Sequence, residues 1–66
     1  MALDWERIVR RNAAQVVNAA MRVLGNAADA EDVAQDVFIE AFERWKTGAE
    51  QRWAGLLRRM VAAATM

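Results

Sequence analysis

Residues 30–45 read AEDVAQDVFIEAFERW, and their apolar side chains recur at steps of three and four positions. This spacing places them on one side of an α-helix and predicts an amphipathic helix from Ala30 to Trp45. We expect Asp29 to be its N-cap, because a carboxylate there can accept a backbone N–H near Asp32. The predicted inner side consists of Val33, Ala34, Val37, Phe38, Ala41 and Trp45.

The same period predicts one helix before this segment and one after it. The first runs from about Leu3 to Leu24 and ends at Gly25, and its predicted inner positions are Val9, Ala13, Val16, Val17, Ala20, Val23 and Leu24. The third is expected to open with a capping box in residues 47–50, TGAE. Its inner positions are Trp53, Leu56, Leu57, Met60, Val61 and Ala64. No stop signal follows them, so we expect this helix to run to the end of the chain. We also expect the chain to be an excised piece of a longer protein.

Composition supports a single all-α domain over residues 1–66. Fifteen alanines, three glycines and no proline favour helices throughout, and no alternating strand pattern or internal repeat interrupts them. The chain lacks Cys, His, Ser and Tyr, so a catalytic role is disfavoured and we expect no cofactor and no metal site. The charged N-terminus and the lack of a long apolar run predict a cytoplasmic protein without a membrane partner.

The formal net charge of zero conceals a strong segregation of sign. Residues 29–43 hold six acidic residues and no basic one, whereas residues 44–66 hold five basic residues and one acidic one. Like charges at helical spacing repel each other, so the acidic run does not stabilise its own helix. Binding to a basic partner would explain why the acidic residues are concentrated in this segment.

Two outward faces are candidate interaction surfaces. On the middle helix an apolar Ile39 is surrounded by polar and acidic positions, which suggests an apolar centre with a charged rim; the alternative is a solvated face with one stray isoleucine. The full set of this face is Asp32, Gln35, Asp36, Ile39 and Glu43. On the third helix, Arg52, Arg58 and Arg59 lie with small residues away from the core, and Lys46 is expected in the preceding loop. They suit a phosphate backbone, although arginines on a helix are more often only solubilising.

The three tryptophans allow two interpretations. Trp53 is in register with Leu56 and Met60, so we expect it to pack in the core at the helix junction. Trp5 and Trp45 could either pack or offer platforms on which unpaired bases stack.

Residues 25–42, GNAADAEDVAQDVFIEAF, resemble the hallmark of bacterial extracytoplasmic-function sigma factors, G-D-x-x-D-A-E-D-L-V-Q-E-x-F-L-x-A-W. Residues 52–61, RWAGLLRRMV, are similar to the family's later F-R-A-W-L-R-R-I-A, so nearly the whole chain is covered. The resemblance implies a compact three-helix sigma region 2 domain of the sigma-70 family. In that family the domain docks on the clamp helices of the beta-prime subunit of RNA polymerase and helps recognise and melt the promoter −10 element.

Carried over by position, the resemblance implies a role for each face. Polymerase docking falls on Asp32, Gln35, Asp36, Ile39 and Glu40, and DNA contact falls on Lys46, Arg52, Arg58 and Arg59. The implied partners are the RNA polymerase core, promoter DNA and an anti-sigma factor.

This sequence also departs from the family pattern. Many family members continue the third helix with Arg-Asn where this chain has Ala62 and Ala63, and the family's −35-reading domain has no counterpart here. The departure favours an alternative, a degenerate sigma-like module that binds polymerase or an anti-sigma factor without reading DNA.

Overall fold

Three α-helices make up the computed structural model, which describes residues 2–48 and 52–66. They are α1, Ala2–Leu24, α2, Ala27–Lys46, and α3, Trp53–Ala64. The described residues contain no strand, so the predicted all-α, three-helix fold is confirmed. None of the described helices is both long and apolar enough to span a lipid bilayer.

A two-residue connection joins α1 to α2. Gly25 has a φ of 65° and donates its N–H to the Met21 carbonyl at 2.8 Å, which ends α1 in the left-handed conformation that glycine tolerates best. Asn26 is then extended, and its side-chain oxygen accepts the N–H of Asp29 at 3.0 Å. The prediction of Asp29 as the N-cap was therefore wrong. Asn26 supplies the same chemistry three residues earlier, and α2 begins at Ala27 rather than Ala30.

The two candidate caps can be separated by mutation. We expect Asn26→Ala to lower the free energy of unfolding by about 1 kcal/mol, since it removes a side-chain acceptor from the first turn of α2. Asp29→Ala should cost less, because Asp29 acts there only through its charge at the helix N-terminus. Urea unfolding followed by circular dichroism measures both, and a larger loss for Asp29→Ala would contradict the assignment.

The connection from α2 to α3 also differs from the sequence-based expectation. Thr47 is not the N-cap of α3 but the C-cap of α2, and its hydroxyl donates to the Arg44 carbonyl at 2.7 Å. The N-cap of α3 is Arg52, whose side chain makes no capping hydrogen bond. The proposed capping box was therefore wrong at Thr47, because that hydroxyl is already used by the preceding helix; its other end, Glu50, lies outside the described residues.

The end of α3 differs as well. The helix ends at Ala64, and both the backbone N–H and the hydroxyl of Thr65 donate to the Val61 carbonyl, at 3.0 Å and 2.8 Å, so the expected continuation to the end of the chain was wrong by two residues. The Thr65 hydroxyl also lies 3.3 Å from the Ala62 carbonyl, one of the last carbonyls of the helix, so it can cap this end without glycine, asparagine or proline.

All three helices contribute apolar side chains to the core. The predicted positions on α2 and α3 are mostly correct, except that Ala64 is exposed. On α1 the prediction fails at the C-terminal end, where Val23 is 61 % exposed and Leu24 is 36 % exposed. The buried apolar residues are Val16, Ala20, Ala30, Ala34, Val37, Ala41, Leu56, Leu57, Met60 and Val61. Asn12 is buried among them, and its amide donates to the Ile8 carbonyl at 2.8 Å.

An aromatic cluster at one end of the bundle fixes how the helices are arranged. Trp5 of α1 lies 5.3 Å from Phe42 and 5.8 Å from Trp45, measured between ring centroids, so the start of α1 meets the end of α2. It also lies 6.1 Å from Trp53, the first residue of α3. Trp5 and Trp45 thus pack against each other, with both rings half-buried, and base stacking on them stays a prediction. The cluster holds α1 antiparallel to α2 and brings α3 back alongside α1.

Candidate functional site

The acidic face of α2 consists of Asp32, Gln35, Asp36, Ile39, Glu40 and Glu43, and all six side chains are exposed. Ile39 is 60 % exposed, although isoleucine is a residue that proteins usually bury. The structure therefore brings together the five polymerase-docking residues that the resemblance implied. It places the apolar side chain among carboxylates on a surface without a partner within the described chain.

Packing of the opposite side of α2 determines which way this face points. Ala30 and Ala41 have no accessible surface, and Ala34 and Val37 are nearly as buried. Alanines let neighbouring helices approach closely, and they fix the rotation of α2 because any other rotation would expose this apolar side. Residues at the remaining helical positions must then face solvent, which is where the acidic face lies.

Ion pairs neutralise part of the acidic face. Arg44 lies 3.8 Å from Glu40 and Lys46 lies 3.2 Å from Glu43, both pairs on the solvent side of α2. The acidic run is therefore partly compensated at the C-terminal end of the helix by the basic residues that follow it. Such exposed pairs contribute under about 1 kcal/mol each, but they leave the unscreened negative charge concentrated around Asp32 and Asp36.

Lys46 does not lie in the loop where the sequence placed it. It is the last residue of α2, and its ammonium group lies 5.4 Å from the centroid of the Phe42 ring as well as close to Glu43. A cation over an aromatic face is attracted to the ring's negative surface. Lys46 is consequently held against α2, and its charge is partly satisfied there.

The remaining predicted DNA-contacting residues do not form one patch. Arg52 caps the start of α3, next to the aromatic cluster. Arg59 lines a groove of about 530 Å³ between α2 and α3 together with Asp36 and Glu40. Arg58, its neighbour in sequence, lines a different groove on the other side of α3, facing α1. Successive residues on a helix point about 100° apart, which separates the two arginines.

Sequence reasoning missed the contribution of α1 to the groove that contains Arg58. That groove is also lined by Arg11 and Arg22 of α1, which are not among the predicted interaction residues. Their spacing along α1, with Gln15 and Asn18 between them at steps of three and four, was the available signal. Among the described residues there is no group of three acidic side chains that could hold a metal ion.

Comparison with known proteins relates most of the chain to one family. Residues 8–61 match the family model described as Sigma-70 region 2. Over 53 residues the chain is 36 % identical to the "ECF RNA polymerase sigma factor SigE" of Mycolicibacterium smegmatis, an alignment that covers 76 % of this chain and 21 % of that protein. The chain thus spans about a fifth of the length of this curated relative. No solved structure matches this chain.

Proposed function

Since the chain belongs to the sigma-70 region 2 family, we propose that it acts in transcription initiation by docking on the beta-prime clamp helices of RNA polymerase and contacting the promoter −10 element. It performs no chemistry itself. Its binding energy positions DNA and traps unpaired bases, while polymerase makes the phosphodiester bonds.

The observation that carries the docking half of this proposal is the acidic face with Ile39 at its centre. Burying the 60 % of Ile39 that is exposed against a partner contributes roughly 1–2 kcal/mol. The surrounding carboxylates, above all Asp32 and Asp36, favour a basic partner and set its orientation. An apolar centre with a charged rim is the usual anatomy of a protein–protein interface.

The DNA half of the proposal is supported by charge on the other elements. Lys46 and Arg52 flank the connection between α2 and α3, and Arg58 and Arg59 are exposed on α3. Cationic side chains position the nucleic acid backbone and make binding depend on salt. The nearby aromatic rings are half-buried and pack mainly against one another, so the basic residues support DNA contact more directly than the tryptophans do.

One observation favours the alternative of a module that binds only proteins. Ala62 and Ala63 are exposed on the last turn of α3, so that part of the helix offers neither charge nor a hydrogen-bonding side chain. This alternative shares the acidic face and differs only in its lack of DNA binding.

Charge reversal on the acidic face tests docking. We expect Asp32→Arg with Asp36→Arg to weaken binding to isolated beta-prime clamp helices by about 100-fold, because a repulsive pair replaces each attractive one. Isothermal titration calorimetry at low salt gives the affinity. Asp32→Asn with Asp36→Asn, which removes charge without reversing it, should give a smaller loss in the same direction.

The matched control is Glu6→Arg with Glu31→Arg, which changes the net charge equally at two exposed positions off the acidic face. It should bind nearly as well as the original chain. Circular dichroism confirms that every variant is folded. Unchanged affinity of the Asp32 and Asp36 variants, or an equal loss in the control, would reject the docking assignment.

A further inference from the structure

A groove of about 700 Å³ runs between α1 and α3 and carries an unusual set of side chains. Its rim on α1 is a stripe of residues at steps of three and four, and its rim on α3 is short and built from Ala54 and Arg58. The α1 stripe consists of Arg11, Gln15, Asn18 and Arg22, with Ala14 and Ala19 beside it.

The charge of this α1–α3 groove has one sign. Its lining includes three arginines and, within the described residues, no carboxylate. The ion pairs in the described part of the chain use Arg44 and Lys46, so Arg11, Arg22 and Arg58 have no carboxylate partner there. The groove between α2 and α3 differs, because its lining mixes the carboxylates of Asp36 and Glu40 with the guanidinium groups of Arg44 and Arg59.

We propose that the α1–α3 groove binds the sugar–phosphate backbone of a nucleic acid strand through Arg11, Arg22 and Arg58. Arg11 and Arg22 are separated by 11 residues on α1, which corresponds to about 16 Å along the helix axis. Arg58 lines the same groove from the facing helix. This arrangement offers cations along a line, as a chain of phosphates requires, rather than at a single point.

The polar residues between the arginines favour phosphate over an acidic protein. Gln15 and Asn18 carry amide N–H donors that can bind phosphate oxygens, and Arg presents a planar set of donors suited to phosphate. The alanines that line the groove have small side chains, which lets a nucleic acid backbone approach the helices closely. A protein–protein interface would instead need an apolar centre. Val23 is the highly exposed apolar side chain in this groove, and it lies at one end of the groove rather than at its centre.

The inference rests on the proposed function in naming nucleic acid as the ligand, but it assigns the contact to α1, which that proposal does not involve. It also distinguishes two adjacent arginines. Arg58 lines the α1–α3 groove, where no carboxylate is present, whereas Arg59 lines the groove of mixed charge between α2 and α3.

Fluorescence anisotropy with a dye-labelled, mixed-sequence single-stranded DNA tests the groove. We expect Arg11→Gln with Arg22→Gln to weaken binding by about 10-fold at low salt and to reduce the slope of log K against log salt by about 1.4, or roughly 0.7 for each lost phosphate contact. The control, Arg10→Gln with Arg44→Gln, removes the same charge from exposed positions outside the groove and should change both quantities much less.

A second pair makes the test sharper within α3. Arg58→Gln should weaken binding severalfold and Arg59→Gln should have a smaller effect, although the two residues are adjacent and equally charged. Equal losses in groove and control variants would overturn the groove assignment while leaving DNA binding by the domain intact. Failure of the unmodified chain to bind DNA would instead reject the DNA half of the proposed function and this inference with it. Equal competition by polyglutamate would overturn the choice of phosphate.

Discussion

Leu57→Ala is expected to remove most of the protein's free energy of unfolding and to leave a measurable unfolded fraction at room temperature. Leu57 is 1 % exposed and is the largest fully buried side chain among the described residues. Removing its side chain loses burial and leaves a cavity, which together cost about 2–5 kcal/mol for a buried leucine. A helical domain of 66 residues without disulfides has only about 3–5 kcal/mol of total stability from one small core.

Leu24→Ala is the matched control, because it makes the same chemical change at an exposed position at the end of α1. We expect it to cost about 1–2 kcal/mol, less than Leu57→Ala, since 36 % of Leu24 is exposed and its truncation leaves no enclosed cavity. Urea unfolding followed by the helical circular dichroism signal reports both values. Similar losses for the two variants would show that Leu57 is not the centre of the core.

The second large effect is expected at Trp5. Its ring contacts Phe38, Phe42, Trp45 and Trp53, which are all the other aromatic residues of the chain. Trp5→Ala should lower the free energy of unfolding by about 3 kcal/mol, at the lower end of the range for large aromatic truncations because the ring is half-buried. The loss would fall on all three helices at once, since the cluster joins their ends.

Trp45→Ala provides the comparison, because Trp45 is also half-buried but contacts only Trp5 and Phe42 among the rings. We expect it to cost clearly less than Trp5→Ala in the same unfolding measurement. Trp5→Phe should recover part of the lost stability by keeping an aromatic ring in place. A larger loss for Trp45→Ala would contradict the central position of Trp5.

These stability effects bear on every binding test. Asp32, Asp36, Arg11 and Arg22 are exposed, so their substitution leaves the core intact and reports on the surfaces themselves. A variant at Leu57 would lose binding through unfolding and would say nothing about either surface. The docking face and the α1–α3 groove can therefore be tested separately from the fold.

Helix caps show where reading the sequence failed. Asn26 and Asp29 are both good N-cap residues, and Thr47 is followed three positions later by Glu50 as in a capping box. Propensity alone does not choose between two competent caps three residues apart, nor between the end of one helix and the start of the next. The choice depends on which backbone groups are left unpaired once the neighbouring helix has ended.

What the sequence determined by itself is the number of helices, their inner sides and the outward position of the acidic face. Those properties follow from a local period of 3.6 residues, so they can be read without knowing what packs where. The family hallmark in residues 25–42 is likewise a local pattern, and the family match over residues 8–61 agrees with it.

Only the tertiary structure decided that Val23 and Leu24 stay exposed, that Trp5 joins all three helix ends, and that Arg58 and Arg59 face different grooves. A helical wheel gives direction around an axis, but not how far a neighbouring helix extends along it. Which side chains from distant positions meet depends on how the three helices pack. The α1–α3 groove is an example, because Arg11 and Arg58 are far apart in sequence and line one groove only when α3 packs against α1.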